Sequence, residues 1–390
     1  MAAVNAPQRT WTGTDATQVV LPRALVAVLD GFLKERFPQA TPRRLAEDVA
    51  RLSESFTAER EELPGSYLNH PPSRSAYLSF FHQTQVLRAM AALDEVRIRA
   101  TARGLWVAAA PDDVGAPTAP LSGTEASVTP AAAAASPEKT LRVLDLGAGL
   151  GAMSQALLAT GGLPGKIEFT LVDHQKSALA DARELLLRAS AALRPGAPPP
   201  LVRCVASRIE PWLGRAGHER WQYDVALLGG VLNELQGEWM KVVDRTLGLL
   251  DGPALLVIVE PALPPVGRAL QALRDEFLAV TTTIAPCTHG LACPLAKLTK
   301  DWCFTTRPAQ FTDRVAEQAR RLEHQWSEVR YAFWAAVARP NAAPPEIDPS
   351  RHGRVVSDPV PGGQVICVLG EKLRLPERAR QVRRGALMTR

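Results

Sequence analysis

The chain contains no apolar run close to the length of about 20 residues that a membrane-spanning helix requires. Its first residues also lack the basic segment followed by an apolar one that a secretory signal would need. Of the 390 residues, 46% are hydrophobic and 22% are charged, which is typical of globular proteins rather than disordered or fibrous ones. These features predict a soluble cytoplasmic protein without membrane contact.

The length and the local composition predict several units along the chain. A chain of 390 residues exceeds what one hydrophobic core usually spans. Amphipathic patterns favour helices through the first hundred residues, and the Ala-, Pro-, Thr- and Ser-rich stretch that follows is typical of a flexible linker. The predicted units are an N-terminal helical region (1–107), the linker (108–139), a cofactor-binding domain (140–280), a cysteine-containing segment with a helix and closing strands (281–370) and a basic tail (371–390).

Short β-rich runs alternate with helical runs within the predicted cofactor-binding domain. LRVLDLG precedes GAMSQALLATG, and KIEFTLVDH precedes a long run that is rich in Ala and Leu. This alternation predicts a parallel α/β sheet with helices packed on it. Further along, FTDRVAEQARRLEHQWSEVRYAFWAAVA, residues 311–338, suggests one more helix.

A glycine-rich loop joins the first strand of this domain to the first helix. Glycines let the backbone turn sharply and approach a ligand, while the free N–H groups of the helix start offer hydrogen-bond donors. The spacing is GxGxG, which favours S-adenosylmethionine over the GxGxxG pattern of dinucleotides. The predicted cofactor-binding residues of this loop are Asp145, Gly147, Ala148, Gly149 and Gly151.

A carboxylate ends the second strand, at Asp173 in Leu171-Val172-Asp173. It lies about 20 residues beyond the loop, the position from which such a residue accepts hydrogen bonds from a ribose diol. The alternative is a structural turn in which Asp173 caps the next helix. The combination of strand, loop, helix and acidic strand end favours the cofactor role and predicts a Rossmann-like fold of the class I methyltransferase type.

Residues that could catalyse a reaction are few. Asn233 and Glu234 follow the fourth strand, and Glu260 ends the fifth, where a substrate would meet the cofactor at the carboxyl ends of the strands. Each could equally fix a turn or cap a helix. Because methyl transfer depends mostly on in-line proximity, an enzyme can lack a strong catalytic motif, and the catalytic residues stay unknown.

Four of the five cysteines lie in the last third of the chain: Cys287, Cys293, Cys303 and Cys367. If WCFTT and GQVICVLG pair as closing antiparallel strands, Cys303 and Cys367 become neighbours and four thiols can converge. Convergent thiolates suit zinc or an iron–sulfur cluster, but the short C-x2-C knuckles of structural zinc are absent. The alternative is four unconnected buried residues, since free cysteine is often buried.

The glycine loop together with PCTHGLACPL and DWCF resembles the small-ribosomal-subunit-associated methyltransferase-like family of the methyltransferase-like protein seventeen type. The likeness runs from the helices near Leu21 to Cys367, and the cysteine segment is its more specific part. The resemblance implies a Rossmann-like domain, binding to the small ribosomal subunit or its rRNA, and a [4Fe-4S] cluster on the four cysteines. It leaves open whether the chain methylates rRNA or is a non-catalytic assembly factor.

The last residues, from Glu371 onward, are markedly basic, and the net charge of the chain is +5. Such a run could neutralise RNA phosphates, or it could simply be a solvated tail. With the family resemblance, we favour rRNA as the partner and expect a monomer off the ribosome. A third alternative is a small-molecule methyltransferase with structural zinc.

Overall fold

The structure is a computed structural model of the chain. The predicted linker 108–139 and Asn233 lie outside the residues that it describes. The described residues are 12–13, 17–57, 67–106, 140–232, 234–235, 237–298, 301–324, 326–338, 348–359, 361, 363–375 and 381–390.

Helices dominate the described part of the N-terminal region. Two short strands precede them, β1 (Thr12–Gly13) and β2 (Val19–Val20). A 3-10 turn (Tyr67–Asn69) and a π-helical turn (Tyr77–Phe81) interrupt them. The helices are α1 (Arg23–Arg36), α2 (Pro42–Thr57), α3 (Pro71–Ala76) and α4 (His82–Thr101).

The predicted parallel sheet is present, and it is extended into a mixed sheet. Five parallel strands run in the spatial order β5-β4-β3-β6-β7. On the far side of β7 the antiparallel strand β10 is added, followed by β9 and β2, while β8 also pairs with β10. The strands are β3 (Leu141–Leu146), β4 (Ile167–Asp173), β5 (Leu201–Ala206), β6 (Tyr223–Gly229), β7 (Leu250–Pro261), β8 (Thr281–Ala285), β9 (Thr305–Gln310) and β10 (Glu328–Ala338).

Successive residues of a strand point to opposite faces of the sheet, so both faces carry apolar side chains. Helices pack on each face. Val143 packs on one side with residues of α1, α4 and two later helices, α5 (Ala152–Thr160) and α6 (Lys176–Leu193). Leu144 packs on the other side. The helices that contribute to this second core are α7 (Ile209–His218), α8 (Trp239–Leu247) and α9 (Pro264–Glu276).

The N-terminal region is joined to the sheet domain by a buried ion pair. The Arg74 guanidinium donates from Nε to Asp181 Oδ2 of α6 at 2.7 Å, and both side chains are almost fully buried. Arg36 bonds the other carboxylate oxygen at 2.9 Å, but its side chain is 48% exposed. Asp181 therefore receives two cations from two different N-terminal helices.

The prediction of one helix over residues 311–338 is wrong. Only α10 (Asp313–Arg321) is helical, and Glu328–Ala338 forms strand β10. The run from Tyr331 to Ala338 is buried throughout, because β10 lies inside the sheet between β7 and its other partners. A strand that is buried on both faces shows no alternation of polar and apolar residues, so its sequence does not distinguish it from a buried helix.

The chain end forms a second sheet instead of the predicted basic tail. Leu375, Val382 and Met388 are buried and pack with Val355 and Ile366, so the segment has a core of its own. The five strands run in the order β1-β14-β11-β12-β13. Those not yet named are β11 (His352–Val355), β12 (Val365–Val368), β13 (Glu371–Arg374) and β14 (Leu387–Thr389).

The predicted pairing of WCFTT with GQVICVLG is also wrong. The first segment leads into β9, which pairs with β10 and β2, whereas the second contains β12, which pairs with β11 and β13. The two segments therefore belong to different sheets.

Among the described residues, no helix is both long enough and apolar enough to cross a bilayer.

Candidate cofactor-binding site and cysteine cavity

The glycine loop turns directly from β3 into α5. Gly147 has φ of +67°, and a Cβ at this position would lie 2.5 Å from Cγ2 of Val231. Gly149 and Gly151 also have positive φ. Ala148 is buried, and its N–H donates to Val172 O at 3.1 Å. Neither the conformation nor the space at Gly147 admits a side chain, so this tight turn requires glycine.

Asp173 ends β4 beside the loop. Its Oδ2 accepts the N–H of Gly149 at 2.9 Å, and its Oδ1 accepts the N–H of Gln175 at 2.8 Å. The carboxylate is therefore held in one orientation at the carboxyl end of the strand. It fixes the turn into α6 and lies next to the glycine loop, so the two alternatives from the sequence are not exclusive.

Asp145, by contrast, is enclosed. It is 1% exposed, and its Oδ2 accepts from Ser154 Oγ at 2.6 Å and from Ser154 N–H at 3.2 Å. Burial raises the pKa of this carboxyl to about 7, against the lowering effect of the two Ser154 hydrogen bonds. Asp145 holds the first turn of α5 against the strand and thereby positions the loop.

Glu260 is occupied by the backbone of the neighbouring loop. Its side chain is fully buried, and Oε1 accepts the N–H groups of Val231 at 2.8 Å and Leu232 at 2.9 Å. The sequence left open a place in the pocket or the fixing of the turn after β7; the hydrogen bonds of Oε1 instead hold the loop after β6. Asn233 lies outside the described residues.

The carboxyl ends of the parallel strands, where the glycine loop and Asp173 lie, are called the crevice below. The N-terminal region reaches this crevice, which the sequence did not predict. The N–H of Leu68 donates to Gln175 Oε1 at 2.7 Å, and Leu68 lies 3.8 Å from the position of a Cβ on Gly149. Burial raises the pKa of Tyr77, and the nearby charges of Glu234 and Asp173 raise it further. These residues precede the loop by many positions, so no local pattern could reveal their proximity to it.

The four cysteines at the C-terminal end line a single cavity of about 40 Å³. Cys287 and Cys293 lie in the loop after β8, Cys303 lies before β9, and Cys367 lies on β12. The proximity of Cys303 and Cys367 thus arises across two sheets. His289 also lines this cavity, with Nε2 at 3.3 Å from Cys367 Sγ.

Burial and neighbouring thiols raise the pKa values of three cysteines in this cavity. Burial, followed by the nearby Cys287, raises the pKa of Cys303 to about 12 and also raises the pKa values of Cys293 and Cys367. Burial and the Arg274 guanidinium lower the pKa of His289 to about 4. Burial thus favours the protonated thiols of Cys293, Cys303 and Cys367, and a cation in the cavity would favour their thiolates instead.

Three buried arginines hold the backbone around the cavity. Arg274 donates to His289 O at 2.7 Å, Arg99 donates to Cys287 O at 3.0 Å, and Arg354 donates to Pro286 O at 2.9 Å. They come from α9, α4 and β11, respectively. The loop that carries Cys287 is thus hydrogen-bonded to the N-terminal helices, to the domain of the larger sheet and to the C-terminal sheet. It lies among positive charges.

Four cysteines line one cavity together with buried arginines, and thiolates are the usual ligands of zinc and iron–sulfur centres. Within the described ranges, no group of three or more His, Cys, Asp or Glu side chains is close enough together to hold a metal ion as it stands. Cys204, the remaining cysteine, lies apart on β5 and is exposed.

The sheet order and the glycine loop define a Rossmann-like domain of the methyltransferase type. The family model described as mitochondrial small ribosomal subunit Rsm22 matches residues 126–386. The chain therefore belongs to this methyltransferase-like family. The match includes the glycine loop, Asp173 and the four cysteines of the cavity.

Solved structures that match part of this chain include several methyltransferases. A SAM-dependent methyltransferase from Agrobacterium tumefaciens is 16% identical over 52% of this chain and 57% of its own, with a TM-score of 0.32. A candidate SAM-dependent methyltransferase from Streptococcus mutans is 15% identical over 50% of this chain and 44% of its own, with a TM-score of 0.33. The matched region thus spans less than two thirds of either protein. No curated protein matches the sequence.

Proposed function

We propose that the protein binds S-adenosylmethionine and acts on the rRNA of the small ribosomal subunit. The observation that carries this proposal is the family match over residues 126–386. The family description names the small ribosomal subunit, and the matched region contains the complete glycine loop. The net charge of +5 suits a polyanionic partner.

The residues of the crevice fit the proposed cofactor. Asp173 offers an oriented carboxylate for a ribose diol, and the glycine loop presents backbone to the ligand. Asp145 serves this site by holding α5, and Gly147 by forming the turn. S-adenosylmethionine supplies an electrophilic methyl group when bound, so the chain itself needs mainly to bind and to orient.

The test is methyl transfer from labelled S-adenosylmethionine to purified small-subunit rRNA and to small-subunit assembly intermediates. The proposal expects label in the rRNA with the wild type and none with Asp173→Asn. An Asp251→Asn variant is a suitable control, because Asp251 is an exposed residue whose ion pair with Arg142 is long, at 3.7 Å. No label on any intermediate would contradict methyl transfer.

A second candidate is a non-catalytic assembly factor that binds cofactor and rRNA. The observation that favours it is the occupation of Glu260, whose carboxylate is used to hold the loop after β6. Salt-sensitive binding to small-subunit rRNA, together with cofactor binding but no methyl transfer, is the result that this candidate expects.

We further propose that Cys287, Cys293, Cys303 and Cys367 hold a [4Fe-4S] cluster. The proposal is supported by the four cysteines that line one cavity. A bound metal centre would supply the positive charge that buried thiolates need. Arg274 and Arg354 also line this cavity and would offset the negative charge that four thiolates bring.

The test of the cluster is anaerobic purification followed by absorbance and by iron, sulfide and zinc analysis. We expect about four irons and four sulfides per chain in the wild type and a loss of both in Cys287→Ser. Cys204→Ser is the matched control, because Cys204 lies apart from the cavity. One zinc without sulfide would contradict the cluster and would favour a structural zinc site instead.

A further inference from the structure

Helix α4 carries two buried side-chain nitrogens that have no hydrogen-bond acceptor among the residues that the structure describes. Gln85 is 9% exposed, and its Nε2 makes no hydrogen bond in the described part of the chain. One turn further on, Nε of Arg88 is buried without an acceptor in the same described residues. Buried polar groups are usually hydrogen-bonded, so two unpartnered donors on one helix face indicate a missing ligand.

Both donors lie at the crevice described above. Gln85 Nε2 is 3.3 Å from the position of a Cβ on Gly229 and 3.8 Å from that on Gly230, at the carboxyl end of β6. Arg88 lies close enough to Tyr77 to lower the pKa of its hydroxyl, and Tyr77 is in turn near Asp173. The two donors therefore face the cofactor side of the sheet.

The chemistry of the two groups selects the kind of ligand. An arginine and an amide nitrogen offer only N–H donors on this side, and the arginine adds a positive charge that burial disfavours. A carboxylate satisfies both, because its two oxygens accept hydrogen bonds and its charge neutralises the guanidinium. Asp173 also lies close enough to Tyr77 to raise the pKa of its hydroxyl, so the two donors and the predicted ribose-binding carboxylate lie near the same residue.

We propose that Gln85 and Arg88 bind the α-carboxylate of the amino-acid part of S-adenosylmethionine. This inference rests on the proposed cofactor binding and assigns part of it to the N-terminal helices. It explains why α4 keeps two unpartnered donors beside the glycine loop. The Rossmann domain alone would then hold the nucleoside but not the amino-acid end of the cofactor.

The experiment compares two ligands that differ by this carboxylate alone. S-adenosylmethionine and decarboxylated S-adenosylmethionine are titrated by calorimetry into the full chain. Charge-assisted hydrogen bonds typically change affinity by about 10- to 100-fold, so the wild type should prefer the complete cofactor by that factor. Because each protein is its own reference, a partial loss of fold affects both ligands alike.

Two variants locate the preference. Arg88→Met should remove most of it by weakening the binding of the complete cofactor while leaving the decarboxylated ligand unchanged. Gln85→Glu keeps the size of the side chain but introduces a negative charge, so it should reverse the preference. Arg44→Met on the exposed surface of α2 is the control and should retain the wild-type ratio.

The outcomes separate the two proposals. Equal binding of both ligands by the wild type, or a preference that survives in both variants, would overturn the carboxylate site and leave cofactor binding intact. Stronger binding of the decarboxylated ligand by the wild type would also overturn it. If neither ligand binds the wild type, the proposed cofactor function fails, and this inference fails with it.

Discussion

At the scale of single residues, two carboxylates near the glycine loop have different surroundings and therefore different roles. Asp173 receives two backbone N–H groups at a strand end, whereas Asp145 is enclosed with Ser154. Burial favours the neutral form of a carboxyl and raises the pKa of Asp145 to about 7. Position in the fold, rather than residue type, separates the proposed ligand contact of Asp173 from the structural contact of Asp145.

Asp173→Asn should weaken the binding of S-adenosylhomocysteine by about 10- to 100-fold, because a charged acceptor for the ribose diol is lost. The replacement keeps the size of the side chain but leaves one acceptor oxygen for the N–H groups of Gly149 and Gln175, so the thermal midpoint is measured beside the affinity. Isothermal titration calorimetry measures the effect, with Asp251→Asn as the surface control. Equal affinity of Asp173→Asn and wild type would show that Asp173 only fixes the turn.

Asp145→Asn should change how stability depends on pH. The folded-state pKa of Asp145 is raised to about 7, so the folded protein binds a proton that the unfolded chain has already lost. Its contribution is favourable below the unfolded pKa and is lost as the pH rises towards 7. Relative to Asp145→Asn, the unfolding free energy of the wild type should fall by about 2–3 kcal/mol between pH 5 and pH 8.

Denaturant unfolding at the two pH values measures this difference. Burial lowers the pKa values of His82 and His289 to about 4, which acts in the opposite direction. Their effect is present in both proteins and cancels in the comparison. A difference between the two proteins that stays constant with pH would show that the Asp145 pKa is not raised.

Gly147→Ala and Gly104→Ala form a matched pair, because both glycines have φ of +67°. Alanine in this conformation costs about 1–2 kcal/mol at either position. At Gly147 its Cβ would also meet Val231, whereas nothing lies within 4 Å of the corresponding position at Gly104. We expect Gly147→Ala to lower the thermal midpoint further and to abolish cofactor binding. Equal losses of stability would contradict the contact with Val231.

At the scale of secondary-structure elements, the sequence predicted best what local spacing determines. The strand, glycine loop and helix from Leu141 to Thr160 were predictable because every part has its own short pattern. Strand β10 was not, because burial on both faces removes the alternation that marks a strand. The chain end was misjudged because its many arginines obscured the few apolar residues, such as Val382 and Met388, that form a core.

The candidate site also contains residues whose proximity the sequence could predict and residues whose proximity it could not. Asp173 and the glycines belong to one βαβ unit, so their proximity could be predicted from the sequence. Gln85 and Arg88 reach the crevice from a helix that precedes the loop by more than the whole linker, and only tertiary packing brings them there. The four cysteines line one cavity, but they reach it from two sheets rather than through the predicted strand pair.

Arg354 on β11 is the clearest test of how the C-terminal sheet is attached. It is 5% exposed, pairs with Glu95 of α4 and donates to the carbonyl of Pro286. Arg354→Met should destabilise the fold by about 1–3 kcal/mol, because the Glu95 carboxylate and the Pro286 carbonyl are left with only the longer bonds from Arg99, at 3.4 Å each. Arg330→Met, which removes a 66% exposed arginine from β10, should cost less than about 1 kcal/mol. Similar thermal midpoints for the two variants would contradict this role.

At the scale of the whole molecule, three regions that are distant in sequence together form the candidate cofactor-binding site and the cysteine cavity. The N-terminal helices cover the crevice of the sheet domain, and the cysteine loop is bonded by arginines of α4, α9 and β11. Cofactor binding and the integrity of the cysteine cavity should therefore both depend on the position of α4. The ion pair between Arg74 and Asp181 is the point at which that position can be tested.

Arg74→Met should loosen the N-terminal region from the sheet domain, whereas Arg36→Met should not, although both arginines bond Asp181. The Arg74 side chain is 6% exposed, and its removal should cost about 3–5 kcal/mol because the buried carboxylate of Asp181 is left with only the peripheral Arg36. The Arg36 side chain is 48% exposed, so its pair is screened by water and should contribute less than about 1 kcal/mol. Hydrogen exchange of α4 and calorimetry with S-adenosylhomocysteine measure both consequences. Faster exchange in α4 together with weaker binding is expected only for Arg74→Met, and unchanged binding despite faster exchange would show that the sheet domain holds the cofactor without the helices.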